Sequence, residues 1–212
     1  MQPDDGYYRG MLTVHLVRHG DTVQAAEGIL SGDLDPPLTD SGRAQAERLV
    51  RVFEPLALAA IYCSPKQRAQ MTAEPTARAS HKTPVIADGL REIGYGRWEG
   101  MREADLKVTE TAAFEAWHAD PAMRSPPGGE TAFAIAARAM PVLVDIQRAH
   151  AGGHVMVVSH KATIRIMTCA LLGIPLARFR SLVACPTASI TSFEIAGGVP
   201  MLVGAADVHH LG

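Results

Sequence analysis

The stretch LVRHGDT, residues 16–22, decides the fold prediction, because an apolar run ends there in an arginine, a histidine and a glycine. The run itself, MLTVHLV at residues 11–17, is almost continuously apolar. Such a run is typical of a strand that is buried on both faces, as in a parallel sheet. The pattern therefore predicts a central strand with Arg18 and His19 at its carboxyl end.

The rest of the chain alternates between strand-like and helix-like segments. Short apolar runs predict three further strands, at 59–64, 84–88 and 154–159. Capping residues and helical spacing predict four helices, at 38–53, 65–79, 130–151 and 161–173. Because proline removes a helical hydrogen bond, Pro75 is expected to end or kink one helix and Pro141 to interrupt another.

The segment 189–206 reads as two strands around a Gly-Gly turn, which predicts a terminal hairpin. Together with the alternation of strands and helices, it predicts an α/β fold with a mostly parallel sheet, helices on both sides and an antiparallel edge strand. We expect one domain over residues 1–212. Residues 93–130, irregular with short helices near 103–108 and 112–118, are expected to cap its site.

Composition excludes several classes of protein. Twenty Lys and Arg residues against 22 Asp and Glu give a net charge of −2, which provides no electrostatic basis for binding nucleic acid or an anionic membrane. The three cysteines are far apart and form no CxxC pair, so neither a disulfide framework nor a zinc site is indicated. No run is long enough for a membrane span, and the first ten residues do not resemble a signal peptide. A cytoplasmic location is expected.

Polar side chains follow several of the predicted strands. Arg18 and His19 follow the first predicted strand, and His160 follows the fourth. Arg68 lies one turn into the helix after the second strand, and Glu92 lies just past the third strand. The carboxyl ends of parallel strands meet at one edge of a sheet, where ligands bind. Arginine matches phosphate oxygens bidentately, and the helix after His160 offers free N–H groups to the same anion. The pattern therefore predicts a phosphate pocket.

Other interpretations stay open at this point. Arg18 and Arg68 could form ordinary salt bridges, and His160 could be a hydrogen-bonded core histidine. A metal site built from His19, Asp21 and His160 lacks the HxxxH or HxH spacing of known sites and is not favoured.

Two further titratable residues are expected to be structural. His15 lies in the middle of the first strand, which predicts a hydrogen-bonded core histidine. Glu130 is expected to cap a helix or to form an ion pair.

Four stretches together resemble the signatures of the histidine phosphatase superfamily, in its phosphoglycerate-mutase-like branch that includes broad-specificity phosphatases: LVRHGDT, SPKQRAQMTA, LREIGYGRWEG and VVSHKATIR. The resemblance extends from about residue 12 to the end of the chain. It implies a three-layer α/β/α sandwich with a Rossmann-like sheet, a phosphohistidine intermediate, and no metal or other cofactor. Monomer and homodimer both stay open, since dimers are common in the family.

The resemblance also implies a role for each residue at the predicted sheet edge. His19 is the nucleophile, Arg18, Arg68 and His160 hold the phosphoryl group, and Glu92 is the proton donor. A neutral imidazole is a good nucleophile near pH 7 if its other nitrogen is held as N–H. After transfer, the same Glu92 would activate water to hydrolyse the phosphohistidine.

Other residues are expected to complete the substrate site. Gly20 is expected to let the backbone pass close to the phosphate, Thr22 to add a hydroxyl, and Tyr95 to contact the substrate from the cap. Trp98 and Trp117 could stack on the substrate or pack the core of the cap.

The sequence departs from the family pattern at two positions. Ala25 stands where many relatives have an asparagine that binds phosphate, so one hydrogen bond is missing or is supplied by Ser31. Lys161 stands where many relatives have glycine, at the start of the helix after His160. We expect it to meet a second anionic group at the mouth of the pocket.

These residues favour a metal-independent phosphomonoesterase that acts on a small phosphorylated metabolite, with neither nucleic acid nor a membrane as partner. A mutase-type phosphoryl transfer is the first alternative, but mutases carry a lysine for the substrate carboxylate where this chain has Glu103. A non-catalytic phosphate-binding member of the fold is the second. The identity of the substrate stays open.

Overall fold

The computed structural model describes residues 10–212, in which six strands form one mixed sheet. The strands are β1 (Leu12–Arg18), β2 (Ala60–Cys63), β3 (Val85–Ile86), β4 (Gly153–Ser159), β5 (Ile190–Ala196) and β6 (Val199–Asp207). Their order in the sheet is β3-β2-β4-β1-β5-β6. The pairs β3–β2, β2–β4 and β4–β1 are parallel, whereas β5 is antiparallel to both of its neighbours.

Within residues 10–212, eight α-helices lie between or beside these strands: α1 (Val23–Glu27), α2 (Asp40–Phe53), α3 (Gln67–Ala79), α4 (Glu103–Thr109), α5 (Thr111–Ala119), α6 (Ala132–Ala149), α7 (Lys161–Leu172) and α8 (Phe179–Leu182). Among the helices of residues 10–212, none combines the length and the apolar composition that crossing a bilayer requires.

Helices cover both faces of the sheet because alternate residues of its central strands point in opposite directions. In β4, Val155 packs in the core that contains Leu143 of α6, whereas its neighbour Met156 packs in the core that contains Leu49 of α2. This two-residue period gives the sheet two apolar faces, and each needs a cover of helices. The predicted three-layer sandwich is therefore confirmed, with α6 and α7 on one side and α2 and α3 on the other.

A third core forms where residues 93–130 meet α6 and α7. Trp98, Phe114 and Trp117 are buried there with Ile135 of α6 and Ile166 of α7. Both tryptophans are thus used mainly for packing.

The terminal hairpin is present as expected. Gly197 and Gly198 connect β5 to β6, with φ angles of 57° and 81°. Two successive residues at positive φ define a tight turn that matches the twist of the strands, and glycine adopts it without steric cost.

The expectations that Pro75 would end one helix and that Pro141 would interrupt another were wrong, whereas a kink at Pro75 stays a prediction. Pro75 lies inside α3 and Pro141 inside α6. An internal proline costs about 3 kcal/mol, but the apolar faces of both helices are buried in the cores along most of their length. Tertiary packing therefore outweighs the local preference. The strand predicted at 84–88 is shorter than expected and consists of two residues.

His15 is the hydrogen-bonded core histidine that its position in β1 predicted. Its ring bonds to Ser192 Oγ at 2.8 Å and to His154 Nδ1 at 3.1 Å. Burial, and then the nearby His154, lower its pKa from 6.5 to about 4.

We expect this histidine to make folding sensitive to acid. Between pH 6.5 and about 4 the unfolded chain binds a proton at His15 that the folded chain does not. The free energy of unfolding therefore falls as the pH falls through this window, by on the order of 3 kcal/mol, and levels off below it. Urea unfolding of wild type and His15→Gln at several pH values should show a shallower dependence in the variant. Equal slopes would contradict this account, and His118→Gln, which replaces an exposed histidine, is the matched control.

Candidate active site

His19 follows β1 directly and lies at the centre of the sheet edge. Its backbone N–H donates to Ser159 O at 3.0 Å, and its side chain is 5% exposed. Its Nδ1–H donates to Gly20 O at 2.7 Å. Burial lowers the pKa of His19 well below 6.5, and the charges of Arg18 and Arg68 lower it further. The imidazole is therefore neutral at pH 7, with its Nε2 lone pair unprotonated.

The packing of the fold gives a reason for glycine at position 20 that does not involve the phosphate. A Cβ atom on Gly20 would lie 2.5 Å from the carbonyl oxygen of Gly42, in the first turn of α2. The backbone N–H of Gly20 donates to Thr72 Oγ1 of α3 at 3.0 Å. This glycine therefore lets α2 pack against the turn that carries His19, and the approach of its backbone to the phosphate stays a prediction.

Arg68 and His160 lie together behind His19. The rings of His19 and His160 are 5.2 Å apart, and Arg68 Nε donates to His160 Nδ1 at 3.2 Å. Because Nδ1 accepts, the proton of a neutral His160 is on Nε2, which donates to Ser64 Oγ at 2.7 Å. Burial and the nearby charge of Arg68 lower the pKa of His160 well below 6.5.

The guanidinium of Arg68 is already fully engaged. Its Nη atoms donate to the carbonyls of Ser31, Gly32 and Leu34 and contact the carboxylate of Asp35 at 3.4 Å. Its side chain is 1% exposed. A phosphoryl group could bond to Arg68 or His160 only by displacing some of these partners.

Arg18, by contrast, has one guanidinium N–H group without a hydrogen-bond partner among the described residues. Its Nη1 donates to Cys185 O at 2.8 Å, but its Nε is buried without a hydrogen-bond partner in the described part of the chain. An unpaired buried donor is costly. Arg18 also lines the cavity beside His19.

Glu92 is held at the start of α7. Its carboxylate accepts from the backbone N–H groups of Ile93 at 2.9 Å, Ala162 at 3.2 Å and Thr163 at 3.4 Å. The helix N–H groups that we expected to meet the phosphate thus bind Glu92 instead. The helix N-terminus suits a carboxylate in the same way as it suits a phosphate.

Arg138 and Glu130 fix the backbone at Glu92. Arg138 donates to Glu92 O at 2.9 Å and pairs with Glu130 at 2.8 Å, and Glu130 accepts from Gly94 N–H. Burial alone would raise the pKa of Glu130, but the hydrogen bonds from Arg138 and from the Gly94 N–H lower it overall. The structural role expected for Glu130 is confirmed.

Glu99 has a structural role that the sequence did not reveal. Its carboxylate accepts from the N–H groups of Gly32, Asp33, Leu34 and Tyr95. It therefore holds the loop whose carbonyls bind Arg68.

A cavity of about 690 Å³ lies beside His19. The predicted site residues that line it are Arg18, His19, Thr22, Ser31, Glu92, Tyr95 and Lys161. Arg68 and His160 lie behind its wall.

Two of the predicted substrate residues also have structural contacts. Thr22 caps α1 by accepting from Ala25 N–H at 3.1 Å, which leaves its own hydroxyl hydrogen available. Burial, and then Glu92, raise the pKa of Tyr95, so its phenol is a neutral donor.

The cavity is also lined by Arg165, Arg178 and Arg180, which the sequence analysis missed. Arg165 could have been found from its position four residues after Lys161, on the same face of α7. Arg180 follows no strand and gave no signal. Within residues 10–212, no group of three or more His, Cys, Asp or Glu side chains is arranged to hold a metal ion.

Comparisons with known proteins agree with this geometry. Residues 14–208 match the family described as histidine phosphatase superfamily (branch 1), so the chain belongs to that superfamily. Phosphoserine phosphatase 1 of Hydrogenobacter thermophilus is 33% identical over 179 residues, which cover 84% of each chain.

Solved structures show the same fold. YhfR of Bacillus stearothermophilus is 32% identical, with a TM-score of 0.88 over 95% of this chain and all of the other. A mycobacterial glucosyl-3-phosphoglycerate phosphatase in complex with VO3 is 25% identical, with a TM-score of 0.83 over 93% of this chain and all of the other. The family and its relatives make this chain a phosphatase enzyme.

Proposed function

We propose that the protein is a metal-independent phosphomonoesterase that hydrolyses a small phosphorylated metabolite through a phosphohistidine at His19. The hydrogen bond from His19 Nδ1–H to Gly20 O carries the proposal, because it keeps the proton of the neutral ring on Nδ1 and leaves the Nε2 lone pair free to attack. The relative in complex with VO3 supports an oxyanion site in this fold.

In the first step, His19 Nε2 attacks phosphorus and the bond from phosphorus to the ester oxygen breaks. Glu92, protonated at that stage, gives its proton to the leaving oxygen, and the alcohol departs. The Gly20 carbonyl then stabilises the positive charge of the phosphorylated ring through the same Nδ1–H. Arg18, which lines the cavity, binds a phosphoryl oxygen.

In the second step, Glu92 is a carboxylate and takes a proton from water. The water oxygen bonds to phosphorus, the bond from phosphorus to Nε2 breaks, and inorganic phosphate leaves with His19 neutral again. The backbone N–H groups of α7 hold Glu92 in place through both steps.

The remaining predicted residues keep their roles in this proposal. Arg68 and His160 contact the phosphoryl group after exchanging some of their present partners, and their cationic and N–H groups stabilise the charge of the transition state. Thr22, Ser31 and Tyr95 contribute hydroxyl groups from the cavity wall.

Hydrolysis fits the cavity better than transfer between hydroxyls of a phosphoglycerate. Glu103 lines the cavity in place of the lysine of mutases and pairs with Arg180 at 2.7 Å. A carboxylate at that position would repel the carboxylate that a mutase lysine binds.

The covalent step can be tested by trapping. Brief incubation of wild type with ³²P-labelled substrate should leave acid-labile, base-stable phosphate on the protein, as expected of a bond from nitrogen to phosphorus. His19→Ala should lose both the label and turnover, and EDTA should leave wild-type turnover intact. Full activity of His19→Ala would contradict the proposed nucleophile, and loss with EDTA restored by a divalent ion would contradict metal independence.

The role of Glu92 can be tested through the leaving group. Glu92→Gln keeps the shape but cannot transfer a proton, so kcat for an alkyl phosphate should fall by about 10²–10⁴-fold. An aryl phosphate, whose leaving group needs little protonation, should lose much less. Glu103→Gln removes a carboxylate from the same cavity and is the control, for which we expect no such difference between substrates. Equal losses for both leaving groups in Glu92→Gln would indicate another acid.

A further inference from the structure

Ser64 follows β2 directly and meets His160 at the edge of the sheet. In the parallel pair of β2 and β4, Cys63 lies opposite Val158, so the residues that follow the two strands are neighbours. The backbone N–H of Ser64 donates to Val158 O at 3.0 Å, which fixes the position of the serine. Ser64 and His160 are both fully buried. The register of the sheet therefore places the Ser64 hydroxyl beside the His160 ring.

The hydroxyl of Ser64 completes the hydrogen bonding of that ring. His160 Nε2–H donates to Ser64 Oγ at 2.7 Å, and His160 Nδ1 accepts from Arg68 Nε at 3.2 Å. A neutral imidazole offers one donor and one acceptor, so both are used. The ring is thus held from two sides, by the end of β2 and by α3.

Removal of the Ser64 hydroxyl would affect two residues of the proposed phosphoryl site. His160 Nε2–H would become a buried donor without its acceptor, which is costly. The ring would then be held only by Arg68, and a rotation of the ring would in turn deprive Arg68 Nε of its acceptor. The orientation of both residues therefore depends on one hydroxyl.

A capping role for Ser64 is the alternative. Its Oγ also accepts from Lys66 N–H at 3.3 Å, and Lys66 is the N-cap of α3. The bond with His160 is the shorter of the two, and the N-cap N–H precedes the N–H groups of the first helical turn that a capping side chain normally binds. The geometry thus favours a role at His160.

We propose that Ser64 is a positioning residue of the phosphatase reaction: its hydroxyl holds the ring of His160, and through it Arg68, in the orientation that receives the phosphoryl group. The inference rests on the proposed function, because it requires the phosphoryl group to meet Arg68 and His160. Ser64 acts through His160 and does not line the cavity.

Three substitutions at position 64 test the hydroxyl. p-Nitrophenyl phosphate is the substrate, because its leaving group needs little protonation and its turnover therefore reports the phosphoryl site rather than the acid. We expect Ser64→Ala to lower kcat/KM by about 10- to 100-fold, since misplaced binding groups lose transition-state stabilisation. Ser64→Cys fills the same space with a weak acceptor and should lose a similar factor. Ser64→Thr keeps the hydroxyl and should retain more activity than either.

Vanadate inhibition separates positioning from a general loss of stability. Vanadate mimics the transition state of phosphoryl transfer, so its inhibition constant should rise by about the factor by which kcat/KM falls. A residue that only stabilised the fold would change neither quantity per folded molecule.

NMR of the empty enzyme gives a readout that needs no turnover. The Nε2–H proton of His160 should exchange slowly with solvent in wild type and in Ser64→Thr, because it is buried and hydrogen-bonded. It should exchange faster in Ser64→Ala.

The matched control is Thr191→Val, which also removes a buried hydroxyl. Thr191 Oγ1 accepts from Ala206 N–H at 3.1 Å in the terminal hairpin, outside the cavity. This variant should lose thermal stability but keep the wild-type kcat/KM and vanadate affinity.

The outcomes separate the two proposals. If folded Ser64→Ala kept the kcat/KM of Thr191→Val, the positioning role would be overturned and Ser64 would be assigned to the start of α3. If Ser64→Ala failed to fold, Ser64→Cys, which leaves no cavity, would decide by the same comparison. Wild-type protein that neither hydrolysed p-nitrophenyl phosphate nor bound vanadate would contradict the proposed function itself.

Discussion

The site depends on one buried hydrogen bond, from His19 Nδ1–H to the carbonyl of Gly20 at 2.7 Å. It fixes both the tautomer and the orientation of the imidazole. The bond forms only if the chain turns directly after β1, and that turn is held by Ser159 of β4 and Thr72 of α3. The close approach of α2 to Gly20 then leaves no room for a side chain. The nucleophile is thus positioned by the packing of the sheet against its helices.

The charges around this histidine fall into two groups. Arg68 is buried and surrounded by carbonyls and Asp35, so its charge is largely satisfied by the protein. Arg18, Arg165 of α7 and Arg180 of α8 line the cavity, and the buried Nε atom of each lacks a hydrogen-bond partner within residues 10–212. Burial, Arg18 and Arg68 disfavour a protonated imidazole and so keep His19 neutral beside a cavity lined by cations. The carboxylate of Glu92, held by backbone N–H groups, lies at the border of the cavity.

Much of this arrangement could be predicted from sequence, and the reason is geometric. Residues that directly follow parallel strands must meet at one sheet edge, so Arg18, His19, Glu92 and His160 could be placed together. The partners of Arg68 could not, since carbonyls of a distant loop leave no mark in the sequence. Pro75 and Pro141 were misleading because tertiary packing overrode a local preference. Arg180 reaches the cavity on the four-residue helix α8, which has no recognisable sequence pattern. The packing of α2 against Gly20 could not be predicted either, because the glycine alone does not show what approaches it.

The tautomer and the titration of the His19 ring test most directly the claim that the fold holds this residue as a neutral nucleophile. Nitrogen-15 NMR of the free enzyme, with His19→Ala to assign the signal, reports which ring nitrogen carries the proton and at what pH the ring titrates. Because burial and two arginines lower its pKa well below 6.5, we expect the Nδ1–H tautomer at pH 7 and a titration midpoint well below 6.5. An Nε2–H tautomer, or a titration midpoint near the ordinary value for histidine, would contradict the claim that the fold holds His19 as a neutral nucleophile.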